Sequence, residues 1–566
     1  MVYYTCRYAP AELFAGFGEK MERLDPNPKN FECSDSCAHP NLCGFSKAVI
    51  EEVNSRNITK IILTDCCDAM RRTYDVLKAR PDMKFIYLLP LPHKNGPAEI
   101  KLFGQELKEL AEAYGHYSGR RFDVQKAADA YRRAQDEISP KPDRPYVSLS
   151  GAHGGEMLME QLKSAMGDVP VVDDTCTGNR ELMEKAGSAD SFFDWYASAL
   201  LNMTPCMRML AAQTLEGANR TPGPDPSSRL LGTVFHTIKF CDYYSFRYMD
   251  EKDASPVPLV KIETDTTQQS EGQLKTRLDA FREELGLNQR KIKMQKKEGA
   301  VYTAGIDSGS ASTDAVVMDE NKKILGRAIV PTGAGAANTA QKALEEALAQ
   351  AGLKEEDLTA MVSTGYGRET IGVDSTSVTE ITCHAKGANF LHPEARTVVD
   401  IGGQDSKVIR IDENGSVLNF VMNDKCAAGT GRFLEMQARA LEMTMPQMSQ
   451  KGLEWKKDVE ISSMCTVFAE SEVVSLVAQN VDTADIIHGL NKSVASKTAA
   501  LVGRIGGKPE FIMTGGVAQN QGVVKCLEEK LGAPIFVSGD AQVCGAIGAA
   551  LIALESVLSQ RQQDRA

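Results

Sequence analysis

Two things are scarce in this chain: positive charge and long apolar runs. Its 566 residues carry 64 Lys and Arg against 76 Asp and Glu, a net charge of −12. That deficit argues against a nucleic-acid binder, whose domains are normally basic. It allows small anionic ligands where a site is locally positive or built from backbone N–H groups. No uninterrupted apolar segment approaches the ~18 residues that a membrane crossing needs, so no membrane partner is expected. The start, Met1-Val-Tyr-Tyr-Thr-Cys-Arg-Tyr-Ala-Pro10, has no basic region followed by an apolar run. No signal peptide is therefore expected, and the cytoplasm is the expected location. Cysteine, by contrast, is abundant. Fourteen in a cytoplasmic chain do not read as structural disulfides, because that compartment keeps thiols reduced. Metal or cluster ligation is the leading explanation.

At this length several domains are expected. In the first half, Lys60–Asp65 and Lys84–Pro90 read as buried strands, with amphipathic runs such as Phe45–Val53 and Glu99–Tyr114 between strands. That rhythm predicts parallel α/β layers with sites at the carboxyl ends of the strands. The expected domains are 1–144 and 145–287, two Rossmann-like parallel-sheet domains, then a basic, core-free linker at 288–300 and a further domain at 301–560.

In that last domain, residues 304–318 read as strand, glycine/serine turn, strand, and 397–411 repeat the design. The first turn places Gly305, Ser308, Gly309, Ser310, Ser312 and Thr313 where backbone N–H groups and hydroxyls meet no bulky side chain, as polyphosphate oxygens require. The second supplies Gly402, Gly403, Gln404, Asp405 and Lys407. Asp307 and Asp400 each end an apolar strand before small residues and suit Mg²⁺, directly or through water. They are the expected catalytic carboxylates. Gly515-Gly516 lets a flat base and ribose approach the backbone. Three such elements in this order point to nucleotide binding.

Cys426 sits just before a glycine-rich element and an apolar helix-forming run, and Cys465 stands 465 − 426 = 39 residues later before another. The positive end of a helix would stabilise a thiolate, or an anionic cluster bound to it. Two cysteines do not complete a four-thiolate site, but a two-fold dimer would. The plainer reading is two buried, inert cysteines. Cys526 and Cys544 read as core, and Cys6, Cys206 and Cys383 stay open, with burial favoured. His153 and His236 read as structural or as acid/base groups.

The phosphate turns, Ser363-Thr-Gly-Tyr-Gly-Arg368 and Gly515-Gly516 resemble the superfamily of actin, the heat-shock chaperones and the sugar kinases. With Cys426 and Cys465 they resemble the activator ATPases of 2-hydroxyacyl-CoA dehydratases and benzoyl-CoA reductase, across 301–555. The resemblance implies an actin-like (ribonuclease H-like) ATPase domain of two subdomains. It also implies ATP, Mg²⁺, and a homodimer with one [4Fe–4S] cluster at its interface on Cys426 and Cys465 of both subunits. The first half resembles the dehydratase subunit family through Tyr4–Leu13, Leu42–Ser46, Asp65–Asp68, Asp173–Arg180 and Lys239–Asp242. That implies a second iron–sulfur cluster on Cys43, Cys67 and Cys241. The extra cysteines Cys33, Cys37, Cys66 and Cys176 resemble the double-cubane branch, so the second group is a single or a double cubane.

The expected function is therefore an ATP-dependent iron–sulfur reductase of a small-molecule substrate, with ferredoxin or flavodoxin as electron donor. A 2-hydroxyacyl-CoA dehydratase or its activator is the alternative. A nucleotide-gated regulatory module with structural zinc is the third reading.

Overall fold

The computed structural model describes residues 1–566 apart from 40, 139–140, 179, 204, 207–208, 210–228, 268–270, 288–291, 296–298, 334–335, 369–370, 372–373, 424–426, 462–465 and 565–566. Cys426 and Cys465 thus lie outside the described residues. The chain divides into two compact units, Met1–Leu285 and Gly286–Ala566.

In the first unit, β1 (Val2–Tyr4), β2 (Met21–Arg23), β3 (Lys60–Asp65) and β4 (Phe85–Pro90) form an all-parallel sheet in the order β2-β1-β3-β4. A second parallel sheet, ordered β6-β5-β7-β8, comprises β5 (Tyr146–Gly151), β6 (Val171–Asp173), β7 (Leu230–Ile238) and β8 (Leu259–Thr264). The composition of β3 shows why. Ile61, Ile62 and Leu63 follow one another and all are 0 % exposed, so both faces must be covered. Helical crossovers between parallel strands provide that cover. One core cluster covers the first sheet and reaches the second through Ala152, Phe235 and Ile238. Helix Phe192–Leu201, from the second half of the unit, packs on helix Pro97–Ser118 of the first. The two backbones approach so closely that a Cβ on Gly104 would lie 3.1 Å from the Phe193 carbonyl oxygen.

The second unit contains one design twice. β9 (Tyr302–Ser308), β10 (Ser312–Asp319), β11 (Ile324–Pro331), β12 (Ala360–Thr364) and β13 (Thr376–Ser377) take the order β11-β10-β9-β12-β13. β14 (Thr397–Ile401), β15 (Ser406–Ile411), β16 (Val417–Asn423), β17 (Phe511–Thr514) and β18 (Ile535–Val537) take the order β16-β15-β14-β17-β18. In each, three antiparallel strands are followed by two parallel ones. This is the ribonuclease H-like sheet, duplicated as in actin-like ATPases.

Helix Cys544–Gln563 lies in a stretch long and apolar enough, by length and composition, to cross a membrane. Here it is a core helix, with Ala546, Ile547, Ala549, Ala550 and Ala553 all 0 % exposed. Gly305 of β9 explains how it fits: a Cβ there would lie 2.0 Å from the Ala546 carbonyl oxygen. Gly305 therefore serves helix–sheet packing. The stretch expected as a core-free linker has described residues that pack on the second unit. Ile292 and Met294 pack on the second unit's core, and the Gln295 amide donates to the Thr359 carbonyl at 2.9 Å.

Candidate nucleotide and thiol sites

The second unit has a cleft of about 420 Å³ between its two sheets. Gly309, Ser310 and Ser312 line it from the β9–β10 turn, and Gly402, Gly403 and Asp405 from the β14–β15 turn. Asp307, Asp400, Lys407, Gly515 and Gly516 complete the set that sequence reasoning placed there. Gly515 adopts φ +82°, in the region that favours glycine. Four other expected residues do not line the cleft. Gly305 packs against the C-terminal helix, and the Thr313 hydroxyl is bonded to that of Thr332 at 2.9 Å. Ser308 is buried at 1 % exposure, and Gln404 stands exposed on its turn.

The charges interlock. Lys407 Nζ lies 2.7 Å from Asp405, 3.2 Å from Asp400 and 3.4 Å from Glu380. Burial opposes its charge, but the three carboxylates outweigh that and hold its pKa well above the ordinary lysine value. His384 bridges the two expected catalytic carboxylates, with Nε2 3.5 Å from Asp307 and Nδ1 3.4 Å from Asp400. Burial disfavours its imidazolium, yet Asp400 and Asp307 raise its pKa well above the ordinary value. The Thr514 hydroxyl donates to Asp400 at 2.9 Å. Burial pushes Asp400 up, but His384, Lys407 and this hydroxyl leave its carboxyl below the ordinary range. Burial pushes the Glu380 carboxyl up to about 7. Burial and the neighbouring Asp307 push Asp314 up to about 8.

Sequence reasoning missed Glu380, His384, Thr514 and Asp314. Two signals were available. Glu380 and His384 are four apart on one helix, so they share a face. Asp314 follows Asp307 by 314 − 307 = 7, as Lys407 follows Asp400 by 407 − 400 = 7.

In the first unit the expected ligands share one kind of position. Cys43, Cys67 and Cys241 are the N-cap residues of helices Gly44–Ser55, Asp68–Lys78 and Asp242–Ala254, and none makes a side-chain capping bond. The Cys43 thiol is pushed well up by contact with the Cys241 thiol and by burial. The first turns of the Cys43 and Cys67 helices also touch, Ser46 Oγ donating to Met70 Sδ at 3.7 Å. Three helix N-termini thus each carry a thiol, with those of Cys43 and Cys241 in contact, and the partial positive charge of a helix start favours an anionic cluster over a free proton-bearing thiol.

The remaining cysteines sort differently from expectation. Cys33 and Cys37 neighbour each other on helix Glu32–Cys37, and Cys37 is exposed. Cys176 instead meets Cys6 and Cys206, which sequence reasoning leaned towards ordinary core. All three are buried, and with burial as the main cause each of Cys6 and Cys176 is pushed up further by Cys206. Arg7 is 3 % exposed beside them. Burial opposes its charge, and the Tyr8 phenol with the Cys206 and Cys6 thiols offsets that. Thr64, the next-to-last residue of β3, lies buried beside Cys6, and its hydroxyl has no hydrogen-bond partner among the described residues. Among the described residues no three His, Cys, Asp or Glu side chains converge on a point as a single ion requires. Each thiolate of an iron–sulfur cubane binds its own iron, a wider arrangement that an N-capping set fits. His153 stacks on Phe45 at 3.5 Å, and His236 is bonded to Thr264 at 2.9 Å. Burial lowers these imidazoles to about 3 and about 4, which makes them neutral structural groups.

A duplicated ribonuclease H-like unit closing on a phosphate cleft, joined to parallel sheets with thiols at their strand ends, defines an actin-like ATPase fused to a dehydratase-type α/β module. The chain belongs to the BadF/BadG/BcrA/BcrD ATPase family over residues 304–553, and residues 6–138 and 125–285 match the family model described as 2-hydroxyglutaryl-CoA dehydratase, D-component. It is 47% identical over 256 residues to an activator of lactoyl-CoA dehydratase from Anaerotignum propionicum, covering 45% of this chain and 98% of that protein. It is also 47% identical over 255 residues to the (R)-2-hydroxyglutaryl-CoA dehydratase activating ATPase of Acidaminococcus fermentans (45% and 97%). With a benzoyl-CoA reductase component from Thauera aromatica it shares 32% over 259 residues (44% and 92%).

Proposed function

We propose that this chain is an ATP-hydrolysing iron–sulfur reductase, in which the second unit takes electrons one at a time from a reduced ferredoxin or flavodoxin and nucleotide turnover drives them at low potential to the first, where a small molecule is reduced. The observation that carries this reading is the joint occurrence, in one polypeptide, of a cleft lined by two glycine-rich hairpin turns and paired carboxylates and of three N-capping thiols. An iron–sulfur group bound at such thiols supplies one-electron chemistry. Cys43, Cys67 and Cys241 would hold one such group, and Cys6, Cys176 and Cys206 are better placed than Cys33 and Cys37 for a second cubane. Cys426 and Cys465, with those of a second copy, would hold the cluster of the ATPase dimer.

The chain's own residues set up hydrolysis. The Gly309 and Gly402 N–H groups close their turns onto the Ser312 and Asp405 carbonyls, which would leave the N–H groups of Ser310 and Gly403 to face the phosphates, and Gly515-Gly516 gives the base and ribose access. Asp307 and Asp400 would hold Mg²⁺, which would supply Lewis-acid help to the phosphates, and their carboxylates orient the attacking water. His384 locks the two carboxylates relative to each other. Lys407 is held by three carboxylates, so it clamps the second phosphate turn rather than reaching for the nucleotide.

Family membership favours a second reading, a 2-hydroxyacyl-CoA dehydratase or its activator. It requires a CoA thioester and many product molecules per electron, whereas a reductase consumes electrons in proportion to product. Anaerobic purification with iron counting tests the primary reading. About six irons per chain mean one cubane in the first unit plus half of a shared one, and about ten mean a double cubane. Colourless, iron-free protein refutes it.

A further inference from the structure

The two hairpins that face each other across the cleft differ in one charge. In the second, Asp400 is paired in register with Lys407 on the neighbouring antiparallel strand, and the two form an ion pair at 3.2 Å. In the first, the residue in register with Asp307 is another carboxylate, Asp314. Like charges directly opposite one another on adjacent strands are destabilising. Asp314 is 5 % exposed, lines the cleft, and its Oδ1 is buried without a hydrogen-bond partner. On the other side of Asp307, in register on β12, the Thr364 hydroxyl is 0 % exposed and also lacks a partner. Cross-strand partners project from the same face of a sheet. Three oxygen-bearing side chains therefore stand in a row on β10, β9 and β12, and the two outer ones carry unsatisfied buried oxygens. Buried polar atoms of this kind are rare without a water or ion to satisfy them. The cleft as a whole points the same way: among the described residues that line it, Asp307, Asp314, Glu380, Asp400, Asp405 and Glu435 face Lys407 and His384 as the only basic side chains.

We propose that Asp314 and Asp307 hold a hard cation of the Mg²⁺ class, distinct from the cation that accompanies the nucleotide phosphates. The donors are oxygen only, as such ions prefer, and water or a phosphate oxygen completes the shell. The ion plays for the first hairpin the part that the Lys407 ammonium plays for the second. It also lessens the repulsion that this acidic cleft would otherwise exert on an incoming polyphosphate. The distinction from the nucleotide's own cation rests on the nucleotide reading above, while the Asp314 site itself does not.

The test counts Mn²⁺ on the full anaerobic chain, using the paramagnetic resonance signal of free Mn²⁺, with and without ADP. The nucleotide-free chain binds one Mn²⁺, and the ADP complex binds two per ADP. Asp314→Asn and Asp314→Lys each lower both counts by one, the lysine variant because it copies the second hairpin. A single Mn²⁺ per ADP in the unaltered chain, or counts that neither substitution changes, overturns the proposal. Failure to bind ADP would instead remove the nucleotide reading, and the nucleotide-free count would still decide this one.

Discussion

Replacing Lys407 by methionine tests the account of the cleft. The side chain keeps its length and loses its charge, leaving Asp400, Asp405 and Glu380 without the ammonium that lies within 3.4 Å of each. Lys407 is 3 % exposed, so water does not replace it. Removing one partner of a buried charge network costs roughly 3–5 kcal/mol. For a unit of this size, roughly 2–4 °C of melting temperature is lost per kcal/mol, so the second unit's transition should fall by roughly 6–20 °C at pH 8. The loss depends on pH with a definite sign. Glu380 already sits at about 7 through burial, and without Lys407 it takes a proton more readily. The deficit should therefore shrink at pH 5.5 and remain full at pH 8. Adding Glu380→Gln to Lys407→Met should recover part of the loss at pH 8 and little at pH 5.5. Calorimetry of the single and double variants at both pH values reads all of this. A fall below 2 °C at pH 8, or one independent of pH, refutes the reasoning.

Other outcomes follow from single contacts. Gly305→Val should lower the stability of the second unit by at least about 1–3 kcal/mol, because any Cβ there meets the Ala546 carbonyl oxygen; calorimetric unfolding checks it. Cys43→Ala and Cys241→Ala should each remove about four irons per chain while leaving ADP affinity unchanged, as iron analysis beside ADP titration would show. Glu284 has its carboxyl pushed by burial from the ordinary 4.5 to about 7. A folded-state value above the unfolded one means stability is lost as pH rises from about 4.5 through 7. Glu284→Gln should thus stabilise the first unit at pH 8 and have no effect at pH 4, measured by urea denaturation.

How much of this was legible beforehand depends on the range of the interactions involved. The phosphate turns could be read because a strand, a small-residue turn and a second strand are contiguous, and the requirement for bare backbone N–H groups acts within ten residues. The placing of Cys67 just after a parallel strand was readable on the same ground, since the buried apolar run Lys60–Asp65 announces the strand end that follows it, whereas the strand before Cys241 was not read. Gly305 misled for a converse reason. It looks like part of the phosphate turn, but its lack of a Cβ answers to Ala546, more than two hundred residues away.

By itself, then, the sequence determined the layered α/β architecture, the duplicated hairpins and the strand-end cysteines, because each is written in local periodicity and small-residue turns. Only the tertiary structure decided that Cys6, Cys176 and Cys206 are neighbours, that Lys407 is spent on three carboxylates, and that Asp314 is opposed by Asp307. Those outcomes arise from the stacking of strands distant in the chain, where burial makes a missing or mismatched partner costly and local pattern carries no record of which residue will stand opposite.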